Sequence, residues 1–105
     1  MFVIKVKISR LVDDHQPGFV ECSFIDAHGT EHFFVEKVPV VTLADRSADG
    51  SYPVDGTLGC EVLGSRVDDG TDMVTVSTER PWGIESTEGL LVFDLRSTQL
   101  VELSE

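Results

Sequence analysis

The sequence has few basic residues. Its 105 residues include 8 Lys and Arg against 19 Asp and Glu, which gives a formal net charge of -11. Affinity for nucleic acids and for anionic membrane surfaces begins with the neutralisation of phosphates by Lys and Arg. The composition therefore argues against both as partners, although Lys5, Lys7, Arg10 and Lys37 leave room for a small basic strip.

Long apolar runs and cysteine motifs are also missing. No stretch approaches the roughly 18 apolar residues that a membrane helix needs, and no signal-peptide core follows Met1. Cys22 and Cys60 lie far apart without a CxxC spacing, so we expect buried, reduced thiols without metal. With 41% hydrophobic and 26% charged residues, the chain is expected to fold as one domain, 1–105, in the cytoplasm.

A sustained helical period is absent, and the dominant apolar period is two, which is typical of half-buried strands. Alternation predicts strands at 2–12, 19–26 and 31–38, the last two joined as a hairpin by the turn 27–30. A second hairpin is predicted at 57–78, a strand at 90–95 and an edge strand at 100–103. The segment 39–56 is predicted to be mostly loop, with one helical turn or an edge strand at 40–43.

Such strands must hide their apolar faces against one another, because no amphipathic helix is available to cover them. We therefore predict an all-β fold, a small antiparallel barrel of five or six strands that is SH3-like, Sm-like or OB-like. A β-sandwich is the alternative. The Arg-Gly or Lys-Gly RNA pocket of Sm-like barrels is missing from the sequence.

Three runs carry a resemblance to known proteins: FVEC at 19–22, VPVV at 38–41 and, above all, ERPWGIESTEGL at 79–90. Together they resemble a group of short, uncharacterised bacterial proteins of about this length. The third run is the specific one. No established activity belongs to that group, so the resemblance implies a bacterial cytoplasmic protein and transfers no catalytic residue.

Two histidines, His28 and His32, are four residues apart, a spacing that places two zinc ligands on one face of a helix. On a hairpin they fall in the turn and on the strand, so the spacing loses that meaning. A zinc site with Asp26 or His15 is conceivable, but we interpret the group as solvated polar residues at a turn.

Residues 45–56 imitate a calcium loop, because Asp45, Ser47 and Asp49 alternate before Gly50. The twelfth position carries Gly56 in place of the bidentate glutamate, and no flanking helices are predicted. A plain loop is the favoured interpretation, although the sequence leaves open whether Asp45–Asp55 binds a cation. The turn 68–72 is interpreted as an ordinary Asp-Gly hairpin turn.

The only tryptophan, Trp82, lies between Pro81 and Gly83. We predict first a structural corner, in which Trp82 folds back and plugs one mouth of the barrel. The second interpretation is a partly exposed aromatic anchor with a charged rim, since Trp and Arg are enriched in interface hot spots. That candidate contact surface comprises Arg80, Trp82, Glu85, Ser86 and Glu88, with Ser86 also a candidate cap of a short helical turn.

The sequence lacks a phosphate-binding glycine loop with a lysine and a nucleophile with a recognisable base. We therefore favour a non-catalytic module without cofactor that binds a protein partner or itself. The pattern Phe33-Phe34-Val35 points one aromatic away from the core and favours a homo-oligomer. The alternative is a small-molecule or metal-dependent enzyme with its site between the loop 39–56 and the Trp82 turn.

Overall fold

The computed structural model describes residues 1–13, 18–41 and 53–103. Strands dominate this part of the chain, and its longest helix has 4 residues. In chain order the elements are β1 (Phe2–Asp13), β2 (Phe19–Ile25), β3 (Glu31–Lys37), α1 (Val38–Val41), β4 (Val54–Asp68), β5 (Thr71–Ser77), β6 (Val92–Arg96), the 3-10 turn Ser97–Gln99 and β7 (Leu100–Glu102). No helix in these ranges has the length and apolar character needed to cross a bilayer.

The strands form one antiparallel sheet in the order β3-β2-β1-β4-β5-β6, and β7 pairs with β1. The 15-residue β4 belongs to both halves of the sheet, because its first half pairs with β1 and its second half with β5. The partner changes between Cys60 and Glu61, and a register shift between Val62 and Gly64 follows within the pairing with β5. The sheet curls into a half-barrel, and the predicted small all-β barrel is confirmed.

The two predicted hairpins are confirmed as β2–β3 and β4–β5. The strand β4 begins at Val54, inside the segment predicted to be loop. Asp55 and Gly56 are poor strand formers, but β1 offers a backbone edge that pairs Ile8 with Val54 and so extends the ladder. Of the two alternatives predicted for 40–43, a helical turn or an edge strand, the structure has a helical turn, α1, which begins two residues earlier, directly after β3.

The core lies on the concave face of the sheet. Residues Ile4, Val6 and Ile8 of β1 are buried there, while Lys5 and Lys7 between them are exposed. An aromatic cluster fills one end, with the ring centroids of Phe24, Phe34 and Phe93 lying 5.3–5.8 Å apart. The other residues of the hydrophobic core are Val20, Cys22, Val38, Val41, Leu58, Cys60, Val74, Val76, Ile84 and Leu95.

The neighbours Phe33 and Phe34 test this packing. Phe34 is 0% exposed and Phe33 is 41% exposed, because successive side chains of β3 point to opposite faces. We expect Phe34→Ala to lower the free energy of unfolding by about 3–5 kcal/mol, as removal of a buried aromatic does. The matched Phe33→Ala should cost about 1 kcal/mol or less. Equal losses for the two variants in denaturant melts would contradict the burial of Phe34.

Candidate functional site

The segment between β5 and β6 carries Trp82 and is closed at its base by a buried threonine. The Thr78 backbone N–H donates to the Leu91 carbonyl at 2.8 Å, and the Thr78 hydroxyl donates to the Ile84 carbonyl. The Ile84 N–H donates back to the Thr78 carbonyl at 2.9 Å. Thr78 and Ile84 are both buried, so the base of the segment is anchored to the core.

The Trp82 side chain lies on the outer surface and is 52% exposed, so the prediction of a buried plug is wrong. Ile84, two residues further on, fills the core position instead. The turn that separates them is set by Gly83, whose φ of 63° lies in the left-handed region and whose N–H donates to the Glu79 carbonyl at 2.7 Å. The peptide bond Arg80–Pro81 is cis.

The Trp82 ring rests on Gly59 of β4. A Cβ added to Gly59 would lie 2.9 Å from Trp82 Cζ3 and 2.7 Å from Met1 Cε. Val3 pairs with Gly59 across the sheet and faces outward, yet it is only 2% exposed and is not part of the core cluster. We infer that Trp82 and Met1 cover Val3. The tryptophan therefore has one face held against the sheet and one face in solvent.

A hollow of about 420 Å³ lies beside Met1, Arg80 and Pro81, and Trp82 itself does not line it. Arg80 lines it together with the apolar side chains of Met1, Phe2 and Val62, and Glu61 supplies a carboxylate. Arg80 is exposed, so its guanidinium is accessible to a partner. Met1 connects the two features, because it lies beside the Trp82 ring at Gly59 and also lines the hollow.

The other three predicted contact residues do not share that arrangement. Glu85 and Glu88 are exposed, but Ser86 is only 5% exposed. The Ser86 hydroxyl accepts from the N–H groups of Glu88 at 3.3 Å and Leu90 at 3.1 Å. Ser86 therefore organises a turn and is not a contact residue, and this part of the chain forms no helix for it to cap.

The turn around Ser86 contacts a different strand from Trp82. The Thr87 N–H donates to the Phe33 carbonyl of β3 at 2.8 Å, whereas Trp82 packs on β4. The structure thus unites Arg80 and Trp82 with Met1, a neighbour that was not predicted. Gly59 is the feature of the sequence that could have indicated this contact, because a glycine inside a strand often marks close approach of another group.

The histidines make separate contacts. The His32 Nε2 lies 2.7 Å from Asp26 Oδ2, and His32 is buried against the rings of Phe24 and Phe93, so its interpretation as a solvated residue is wrong. Burial alone would raise the pKa of Asp26, but hydrogen bonds from His32 and from the backbone N–H groups of Thr30 and His28 outweigh it and lower that pKa. The His32 Nδ1 has no hydrogen-bond partner among the residues that the structure describes.

His28 turns to β6. Its Nε2 lies 3.0 Å from Asp94 Oδ2, while the Thr75 hydroxyl donates to Asp94 Oδ1 at 2.7 Å. Arg66 adds a contact to Asp94 Oδ2 at 3.3 Å. Hydrogen bonds from His28, Thr75 and Arg66 lower the pKa of Asp94 from 3.8 to about 2. This cluster ties the turn of the β2–β3 hairpin to the outer surface of β5 and β6.

Metal chemistry gains no support from these contacts. Within residues 1–13, 18–41 and 53–103, no three His, Cys, Asp or Glu side chains converge as metal ligands. His15 lies outside the described residues, and so do residues 45–52 of the calcium-like segment.

Both cysteines are buried free thiols, which confirms the predicted burial. Burial, with a smaller contribution from Glu36 and Glu21, raises the pKa of Cys22 to about 12. Burial also raises the pKa of Cys60 to about 11. Neither thiol is therefore a nucleophile at neutral pH, because the thiolate is the reactive form.

Comparisons with protein-family models, curated proteins and solved structures find no match to this chain. The resemblance carried by the run 79–90 stays a prediction. Function has to be inferred from the geometry of this chain alone.

The contact between Gly59 and Trp82 can be tested by fluorescence, because Trp82 is the only tryptophan. We expect Gly59→Ala to push the ring outward, shift its emission to the red and lower the free energy of unfolding by about 1–3 kcal/mol through overpacking. Gly64→Ala is the matched control, since it lies in the same strand and a Cβ there meets nothing within 4 Å. Identical spectra for wild type and Gly59→Ala would show that the ring does not rest on Gly59.

The Asp94 cluster predicts a pH dependence. Because the pKa of Asp94 falls from 3.8 to about 2 on folding, its stabilisation is complete above pH 3.8 and is lost as the pH falls toward 2. The difference in stability between wild type and Asp94→Asn should therefore shrink across that window. Thr75→Val, which removes one donor, should move the pKa of Asp94 upward in an NMR titration of the carboxyl carbon. A wild-type Asp94 that titrates at its ordinary value would contradict the cluster.

Proposed function

We propose that this chain is a small non-catalytic β-barrel domain that binds a protein partner through the Trp82 surface, defined as Trp82, Met1, Arg80 and the adjoining hollow. The observation that carries the proposal is the half-exposed Trp82 ring, held on Gly59 beside Met1, which also lines a hollow of about 420 Å³. Large aromatic side chains and arginines contribute most strongly to protein interfaces when they sit at the centre of an apolar contact.

The fixed position of the ring supports recognition in particular. A side chain that is already ordered before binding loses less conformational entropy in the complex. The Trp82 ring is ordered by the sheet beneath it and by the anchored segment around it, so its solvent-facing side is available at low cost. Since the chain has a net charge of -11, a partner with a basic rim around an apolar centre would be favoured.

The strand order supports an SH3-like barrel among the small barrels. With the β2–β3 hairpin set aside, the order is β1, β4, β5, β6, a 3-10 turn and β7, and β7 returns to β1. The strand β4 is shared between the two halves of the sheet. This architecture presents loops on a rigid frame, but a fold by itself does not define a function, so the Trp82 surface carries the proposal.

A second copy of the chain is the alternative partner within this proposal. Phe33 and Val35 both project outward from β3 and are each 41% exposed, and Ile25 of the neighbouring β2 is exposed as well. Exposed apolar side chains on adjacent strands favour association. Light scattering over a range of concentrations measures this directly, and a monomer at every concentration would exclude self-association.

The enzyme alternative has less support. The hollow beside Arg80 is lined by neither Glu85 nor a histidine. The other half of that proposed site, residues 42–52, lies outside the described part of the chain. The buried free thiols fit a reducing compartment and support the proposed cytoplasmic location.

The proposal is tested by Trp82→Ala. Truncation of a hot-spot tryptophan costs about 2 kcal/mol or more of binding free energy, so affinity for the partner should fall about 30-fold. Stability should fall by only about 1–2 kcal/mol, roughly half the cost of losing a fully buried aromatic. The measurement is quantitative affinity capture from the native cell beside denaturant melts, followed by calorimetry with the captured partner.

Val67→Ala is the matched control, because Val67 is a 68% exposed apolar residue near the tip of the β4–β5 hairpin. It should retain every partner that wild type captures. Arg80→Ala should weaken capture without a measurable change in the melt, since an exposed arginine contributes little to folding. If Trp82→Ala and Val67→Ala capture the same proteins with the same yield, the Trp82 surface is not the binding site.

A further inference from the structure

The barrel has a seam along one edge of β1. On that edge, residues Phe2 to Ile4 pair with β7 and the pairing with β2 begins at Lys7. Lys5 and Val6, between the two partners, pair with no strand on this side within 1–13, 18–41 and 53–103. The 3-10 turn bridges the interruption, because the Gln99 Nε2 donates to the Ile25 carbonyl at 2.6 Å.

A groove of about 650 Å³ opens over this seam. Its volume falls within the range of roughly 300–1,000 Å³ that is usual for small-molecule sites. The core residues Val6 and Phe24 form part of its lining, and Ile25 and Pro53 add further apolar surface. The groove therefore has charged and polar groups around an apolar lining, and its accessible apolar surface comes mainly from Ile25 and Pro53, because Val6 and Phe24 are buried.

Positive charge is concentrated at the rim. Lys5, Lys7 and Arg96 line the groove, which is three of the 8 basic residues in a chain of net charge -11. They come from the middle of β1 and from the end of β6, so the fold brings together residues from distant parts of the sequence. Lys5 makes no hydrogen bond or ion pair with the described residues and is free for a ligand.

The two carboxylates at the rim are already engaged. Asp55 accepts a hydrogen bond from Lys7 Nζ at 2.6 Å, and this contact lowers the pKa of Asp55. The Glu31 carboxylate accepts from the Ser23 hydroxyl at 2.9 Å. The Thr98 hydroxyl adds a neutral polar group to the lining. Lys7 offsets the charge of Asp55, whereas Glu31 keeps its negative charge, so Lys5 and Arg96 together outnumber the remaining carboxylate at the rim.

We propose that the seam groove binds a small organic anion, a carboxylate or phosphate group attached to an apolar body. Lys5 and Arg96 contact the anionic group, and the apolar body packs against Ile25 and Pro53. A small anion is attracted by these nearby cations despite the acidic surface of the chain, because charges more than about 8–10 Å away are largely screened at physiological salt. A long polyanion would also meet the acidic remainder of the surface.

This site is separate from the Trp82 surface. The lining of the seam groove and the lining of the hollow beside Arg80 share no residue. Binding of an anion in the groove should therefore be unchanged in Trp82→Ala. Failure of one proposal leaves the other standing.

The test is a titration of the ¹⁵N-labelled chain with phenyl phosphate, followed by amide NMR. We expect saturable shifts confined to the seam, at Lys5, Ile25 and Gln99. Inorganic phosphate, which lacks an apolar body, should bind more weakly. Benzoate as a third probe identifies the preferred anionic group, and saturable binding of either aromatic anion at the seam supports the proposal.

Lys5→Gln and Arg96→Gln should each weaken phenyl phosphate binding by about fivefold, the effect of losing one exposed charge contact. The matched control is Lys37→Gln, which removes an equal charge from an exposed position at the end of β3, outside the groove. The proposal is overturned if neither aromatic anion gives saturable shifts, if the shifts lie elsewhere, or if Lys37→Gln weakens binding as much as Lys5→Gln. Equal affinity for inorganic phosphate would overturn the role of the apolar body.

Discussion

The pairing of β1 with three strands is the constraint on which the rest of this barrel depends. One edge of β1 is used by β4, and the other is divided between β7 and β2. Backbone groups buried in a sheet need hydrogen-bond partners, so the curl of the sheet follows from satisfying both edges of this one strand. The same strand contributes Ile4, Val6 and Ile8 to the core.

Both proposed sites follow from the outer face and the edges of β1. Val3 and Gly59, paired across the sheet, form the small platform on which Trp82 rests. Two residues further on, Lys5 stands at the interruption between β7 and β2 and lines the seam groove. Because one edge of β1 pairs with two different strands, neighbouring elements do not cover this strand along its whole length. Accessible surface therefore remains on both sides of the interruption.

Prediction from the sequence succeeded where structure is local. The hairpin β2–β3 could be predicted because Val20, Cys22 and Phe24 alternate with polar residues. The turn of β4–β5 could be predicted because Asp and Gly tolerate the positive φ that Asp69 and Gly70 both adopt. The site was only partly predictable. Trp82 is exposed as in the second interpretation and not buried as in the first, Ser86 is a buried turn residue, and Met1 and Gly59 carried no chemical motif.

The sequence by itself determined the strand class, the two hairpins and the acidic character of the chain, because period-two burial, turn residues and charge are properties of neighbouring residues. Only the tertiary structure decided that Ile84 enters the core while Trp82 stays outside, that His32 is buried against Asp26, and that β4 begins at Val54. Each of these outcomes depends on contacts between residues far apart in the chain. Apolar side chains compete for one core, and the competition is settled by the shape of the space that the folded strands leave.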